Sequence, residues 1–267
     1  MCMICTGKYQ NGEVFHCWCC PNVTEIPNIP GLKTLDCHSC KKLVKIYPIP
    51  GLERLWCYDC PKLAEIPVIP GLKELFCNNC PKLEKIPNIS GLKFLNCYRC
   101  TNLTEISVIP GLTSLDCSGC KNLINIPDIP GLRQLYCGNS QYLEKIPVIA
   151  GLEELFCGYS QCLTEIPQIL GVKELYCPSC PRLTKIPSIS ELKEFDCSEC
   201  PWIEYNCDFK ENLTNLIKIQ KYVKKYHKLK ICKRWVQSDD FRQWYYHPEG
   251  PGGIKAVLRL INKTKNE

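Results

Sequence analysis

A hydrophobic pattern returns every twenty residues through most of this chain, and a strict period of that length admits few folds. Leu32, Leu52, Leu72, Leu92, Leu112, Leu132 and Leu152 stand twenty apart, continued by Val172 and Leu192. A second series runs from Leu35 to Phe195, a third from Cys37 to Cys197 and a fourth from Leu43 to Leu183. Ile26 and Ile29 begin two more. One unit reads GLKTLDCHSCKKLVKIYPIP. Phe15, Cys17, Cys20, Val23 and Ile26 mark an incomplete unit before the first full one, so ten coils are expected over residues 14–204.

Each coil contains a two-residue alternation, such as Leu35-x-Cys37, that reads as a short strand with every second side chain buried. A turn follows around Cys40, Lys41 and Lys42. The return, Ile-Pro-x-Ile-Pro-Gly in the best copies, cannot be a long helix. Each proline fixes φ and removes a backbone donor, so an extended, polyproline-like path is expected. Glycines such as Gly31 and Gly51 suit a turn with positive φ into the next strand. One such loop cannot enclose a core, but ten stacked loops bury a column of Leu, Ile and Cys. At ~4.8 Å per parallel strand, nine steps give a face on the order of 43 Å long.

The pattern LxxLxCxxCxxLxxIPxIPG resembles the leucine-rich repeat, LxxLxLxxN/CxL, with Cys at its sixth and ninth positions. The CxxL spacing after the second Cys is similar to plant-resistance-type repeats, and the twenty-residue length to the short repeats of bacterial effectors. The resemblance spans residues 14–204 of 267. With the tail string FRQWYYHPEGPGGIKA, the Cys-for-Leu substitution also resembles leucine-rich-repeat proteins of amoeba-infecting giant viruses. The family implies an α/β repeat, mostly β, with parallel strands on a concave face, a proline-rich convex side and ligands bound on the concave strands. It implies no chemistry.

Composition divides the chain. Residues 207–267 hold 14 Lys and Arg against 6 Asp and Glu, whereas residues 1–206 hold 19 against 21. The net charge of +6 therefore belongs to the tail. Residues 1–13 read as an N-terminal cap, 14–206 as the solenoid and 207–267 as a basic, mainly helical C-terminal unit. No secretory start and no membrane-length apolar run is present, so a reducing, cytoplasmic setting is expected (host cytoplasm or virion, if viral). The five Asn-x-Ser/Thr sequons then read as chance.

Twenty-four cysteines demand an explanation. Eight coils carry a CxxC pair, and successive pairs match a zinc-site spacing. The period explains that spacing without metal: the first Cys takes a buried strand position, where it acts as a small hydrophobe, and the second lines the turn. Tetrahedral zinc needs four converging thiolates, and a uniform stack singles out no four. Ser140 and Ser160 interrupt the second series with the core around them intact. Packing is thus the leading reading, ahead of metal and disulfides. Cys2, Cys5, Cys17 and Cys20 are the better zinc candidates, since Cys2 and Cys5 lie outside the period and Cys19 breaks it. A degenerate capping repeat is the plainer alternative, and no other cofactor is expected.

Residues flanking the buried pair face outward. They place two aromatic groups on the strands: Trp56, Tyr58, Phe76 and Tyr98, then Tyr136, Phe156 and Tyr176. Large aromatics on a sheet surface are enriched at interaction hot spots, although they also pair across strands for their own sake. Glu74, Glu154, Glu174 and Glu194 add an acidic row that disfavours nucleic acid there. The coils starting at Cys137 and Cys157 resemble each other closely, as a recent duplication would, with Gly138 and Gly158 leaving room for a shallow notch beside Phe156.

In the tail, Leu216, Ile219, Val223 and Tyr226 fall on one helical face, and Lys218, Lys221, Lys224, Lys225 and Lys228 on the others. This helix reads as a cap on the last coil, or as a contact for nucleic acid or anionic membrane. His16, His38, His227 and His247 sit in no nucleophile or metal motif, and no phosphate loop occurs, so no enzyme and no small-molecule substrate are expected. The expected role is a protein–protein interaction scaffold. The alternatives are a structural component of a larger assembly such as a virion, and nucleic-acid or membrane contact through the tail.

Overall fold

The computed structural model describes residues 13–200, apart from 185, 188 and 190. The C-terminal helical cap, the tail lysines, Cys2 and Cys5 therefore lie outside the described residues.

Ten three-residue strands, from Val14–His16 to Glu194–Asp196, form one parallel sheet in chain order. Nine twenty-residue turns join them, and every register advances by twenty: Leu35 pairs with Leu55, Leu115 with Leu135, Leu175 with Phe195. The described residues contain no helix, so the repeat itself is purely β and the helical part of the α/β expectation falls wholly on the undescribed tail.

The core is the column the period implies. Leu35, Leu55, Leu75 and their successors are buried, as are the Leu43 series, the Ile49 series as far as Ile169 and both cysteine series, with Ser140 and Ser160 standing in for two thiols. Burying each Leu or Ile contributes about 1.5–3 kcal/mol. Because each coil shares those side chains only with its neighbours, the stack is cooperative along one axis.

The return strip adds a detail set by proline. Glu25–Ile26 pairs with Lys45–Ile46, and Lys85–Ile86 with Glu105–Ile106, as two small parallel sheets. In those pairs the coil that must donate lacks the usual proline after its Ile. Tyr47 N donates to Ile26 O at 2.9 Å, and Ser107 N to Ile86 O at 3.0 Å. Elsewhere proline occupies that position and supplies no N–H. The strip is extended throughout, and it becomes sheet where a donor exists.

A second backbone device precedes the second cysteine of each pair. Ser39, Asp59, Asn79, Arg99 and their non-glycine equivalents have φ between +53° and +63°, and Gly119 has φ +72°. This left-handed turn aims each N–H at the next coil, as in Ser39 N to Tyr58 O at 2.8 Å. Cys19, which looks anomalous in sequence, simply occupies this position at φ +55°.

Candidate functional site

The second cysteine of each pair has a defined partner. Its thiol donates to the carbonyl of the first cysteine one coil back: Cys40 to Cys17 at 3.0 Å, Cys60 to Cys37 at 3.4 Å, Cys80 to Cys57 at 3.3 Å, Cys120 to Cys97 at 3.1 Å. Burial, reinforced by neighbouring thiols, pushes the Cys57 thiol well up from its usual value, and burial holds Cys60 up at about 12. Cys57 and Cys60 are thus protonated packing groups, whereas hydrogen bonding, led by the Cys17 side chain, lowers the Cys40 thiol to about 7, and hydrogen bonding to the Cys77 side chain lowers that of Cys100. Cys37 to Cys180 are unbridged. Among the described residues no three His, Cys, Asp or Glu side chains are grouped as a metal would need. Cys17 and Cys20 are buried at the first coil.

The ladder falters where serine replaces cysteine. Ser140 Oγ donates within its own coil, to Cys137 O at 2.8 Å. Ser160 Oγ is buried and has no hydrogen-bond partner among the described residues.

The outward face of the sheet carries three rows: the first and third residue of each strand and the residue after the first cysteine. The middle row alternates in kind. Where it is Asp or Asn, the side chain accepts from its own backbone two residues on: Asn96 Oδ1 from Tyr98 N at 3.1 Å, Asp116 Oδ1 from Ser118 N at 3.0 Å. Where it is aromatic, the rings meet across the strands. Trp56 and Phe76 pack edge-on with centroids 6.4 Å apart, and Phe156 stacks on Tyr136 at 4.6 Å and on Tyr176 at 4.5 Å. These rings are half-buried because they cover one another.

The first aromatic group expected from sequence resolves into separate contacts. Trp56 pairs with Phe76. Tyr58 instead stacks on His38 at 4.5 Å, which also lies parallel to Trp18 at 6.1 Å. Asp36 holds His38 Nδ1 at 2.6 Å. Tyr98 lies under the Arg99 guanidinium, 5.0 Å from its ring. His38, in the outward row after the first cysteine, belongs to neither aromatic group expected from sequence, and it is the ring on which Tyr58 stacks.

Between Phe76 and Tyr136 the smaller Asn96 and Asp116 leave a recess of about 200 Å³. That is below the roughly 300–1,000 Å³ of small-molecule sites. No notch lies at Gly138 and Gly158. A Cβ on Gly158 would meet Pro178 Cδ at 2.6 Å, and one on Gly138 would meet Gly158 O at 2.8 Å. These glycines permit close approach of adjacent coils beside the stacked rings.

Carboxylates border the second aromatic column. Tyr136 donates to Glu154 Oε2 at 3.0 Å, and Tyr176 donates to Glu194. Burial and then the Glu154 hydrogen bond push the Tyr136 phenol up to about 12. Glu174 stands between Glu154 and Glu194 in direct register, and like charges placed so are destabilising. Burial and those two neighbours raise its carboxyl. Carboxylates one residue earlier are treated differently: Glu53 meets Lys73 at 2.8 Å, and Glu153 lies between Arg133 at 2.9 Å and Lys173 at 2.5 Å. The i and i+18 spacing of Tyr and Glu was the available signal for the phenol contacts. Neither a scan against protein-family models nor a search of curated proteins finds a match to this chain.

Proposed function

We propose that this chain is a leucine-rich-repeat protein whose outward strand face docks a protein partner, without catalysis. The observation that carries this reading is the pair of aromatic runs on the open sheet face, Trp56–Phe76 and Tyr136–Phe156–Tyr176. They present rigid rings, low in conformational entropy, on a scaffold fixed by the stacked core. The recess between them is too small for a typical metabolite but suits a single side chain of a macromolecule. The Trp56→Ser/Phe76→Ser double variant tests it. With its circular dichroism intact, the variant should lose partners that the wild-type chain retains from lysate. Unchanged retention would reject the reading.

A further inference from the structure

We propose that the C-terminal half of the strand face recognises a cationic, Lys- or Arg-bearing peptide segment. This rests on the docking role above and names the partner's chemistry.

The two halves of the face differ in charge. From the Ser114–Asp116 strand to the Glu194–Asp196 strand, the three outward rows hold Asp116, Glu154, Glu174, Glu194 and Asp196. They hold no Lys or Arg among the described residues. In the other half, Glu74 is met on the same face by Arg54 at 3.3 Å, and Asp36 by His38 at 2.6 Å. The fold also pairs lysines with Glu53 and Glu153, whereas the Glu154–Glu174–Glu194 row forms no ion pair among the described residues, and Lys193 offsets the repulsion at Glu174 only in part. Three carboxylates in direct register repel one another, and a cation laid along them removes that repulsion.

Aromatic chemistry agrees with the charge. Tyr136 ends its column at the recess, with Asp116 and Phe76 among the recess walls. A Lys or Arg head entering there meets a ring face and a carboxylate together, the pairing that favours cation–π recognition. Tyr136 and Tyr176 meanwhile hold Glu154 and Glu194 by hydrogen bonds, which fixes the row before a partner arrives. The chain as a whole carries +6, so attraction of a cation to this face is a local property rather than a bulk one.

Fluorescence anisotropy with the full chain and a labelled short peptide of alternating Lys and Ser tests the proposal, with an uncharged Gln–Ser peptide as control. The Lys peptide should bind about tenfold or more tightly than the control and weaken as salt rises. The Glu154→Gln/Glu174→Gln/Glu194→Gln variant should lose about tenfold in affinity. The single Glu174→Gln variant, which relieves repulsion without disturbing either phenol contact, should remain folded and lose a smaller part. Equal binding of the two peptides, or undiminished binding by the triple variant, overturns the proposal. If that occurs while Trp56→Ser/Phe76→Ser still releases the cellular partners, only the cationic class falls and the docking role stands. Salt-sensitive self-association abolished in the triple variant would instead assign the face to the basic C-terminal stretch of a second copy, and would equally overturn a foreign segment.

Discussion

The thiol of Cys100 donates to the carbonyl oxygen of Cys77, one coil back, at 3.1 Å. Both groups are buried, so the bond satisfies a carbonyl just past the end of the Glu74–Phe76 strand. Cys100→Ala removes the donor and leaves a small void, and should cost about 1–3 kcal/mol by urea unfolding. Cys97→Ala, in the strand series, deletes chiefly packing. A loss at Cys100 no greater than for an exposed alanine substitution would show that the thiol bond contributes nothing.

Ser160 occupies the ladder position without its hydrogen bond. Ser160→Cys places a weaker donor but a larger, less polar atom there, and removes an unsatisfied hydroxyl. The expected gain is about 1 kcal/mol, read as a higher urea midpoint at unchanged slope. A lower midpoint would mean that the turn in this coil cannot accommodate sulfur.

Ser107 supplies the N–H that makes the Lys85–Ile86 and Glu105–Ile106 pair a sheet. Ser107→Pro matches the residue used in most other coils and removes the donor to Ile86 O. Stability should fall by about 1 kcal/mol, with a faster amide exchange confined to this strip. Global unfolding on this substitution would contradict an extended path already suited to proline.

The buried thiols predict alkaline sensitivity. Cys57, Cys117 and Cys137 are held up chiefly by burial. A raised native value means that the stabilisation is complete below the ordinary thiol value of 9.0 and is lost as pH rises through the native value. Each thiol removes about 1.4 kcal/mol per pH unit between those limits. Above pH 9, where the lowered Cys40 and Cys100 thiols have already titrated, the urea midpoint should fall towards pH 12. Cys57→Val should make that fall shallower by one thiol's share, and an unchanged slope would refute the assignment.

Much of this architecture was legible in the sequence because the period acts on side chains. Leu35, Leu55 and Cys57 had to share one face, and the twenty-residue register followed. What escaped depends on backbone groups that carry no side-chain pattern. The left-handed turn at Ser39, Asp59, Arg99 and Tyr159 accepts unlike residues because the surrounding coil dictates it. The thiol-to-carbonyl direction could not be read from cysteine spacing alone. The two-stranded sheets depend on the absence of proline at Tyr47 and Ser107, a signal present but hidden as imperfection in the repeat. On the face, period placed Trp56 and Tyr58 side by side, but partner choice across coils separated them, with Tyr58 joining His38.

The advance of every register by twenty residues has a consequence for how such a chain can change length. Adding or deleting one whole coil hands each surviving coil a neighbour of the same kind, whereas any other increment must be absorbed as a defect. The outward strand face is thereby quantised, growing or shrinking in increments of ~4.8 Å without redesign of the interior. The closely similar coils beginning at Cys137 and Cys157 fit one such step. Reach and composition of the face are free to vary coil by coil, while the column behind it stays the same.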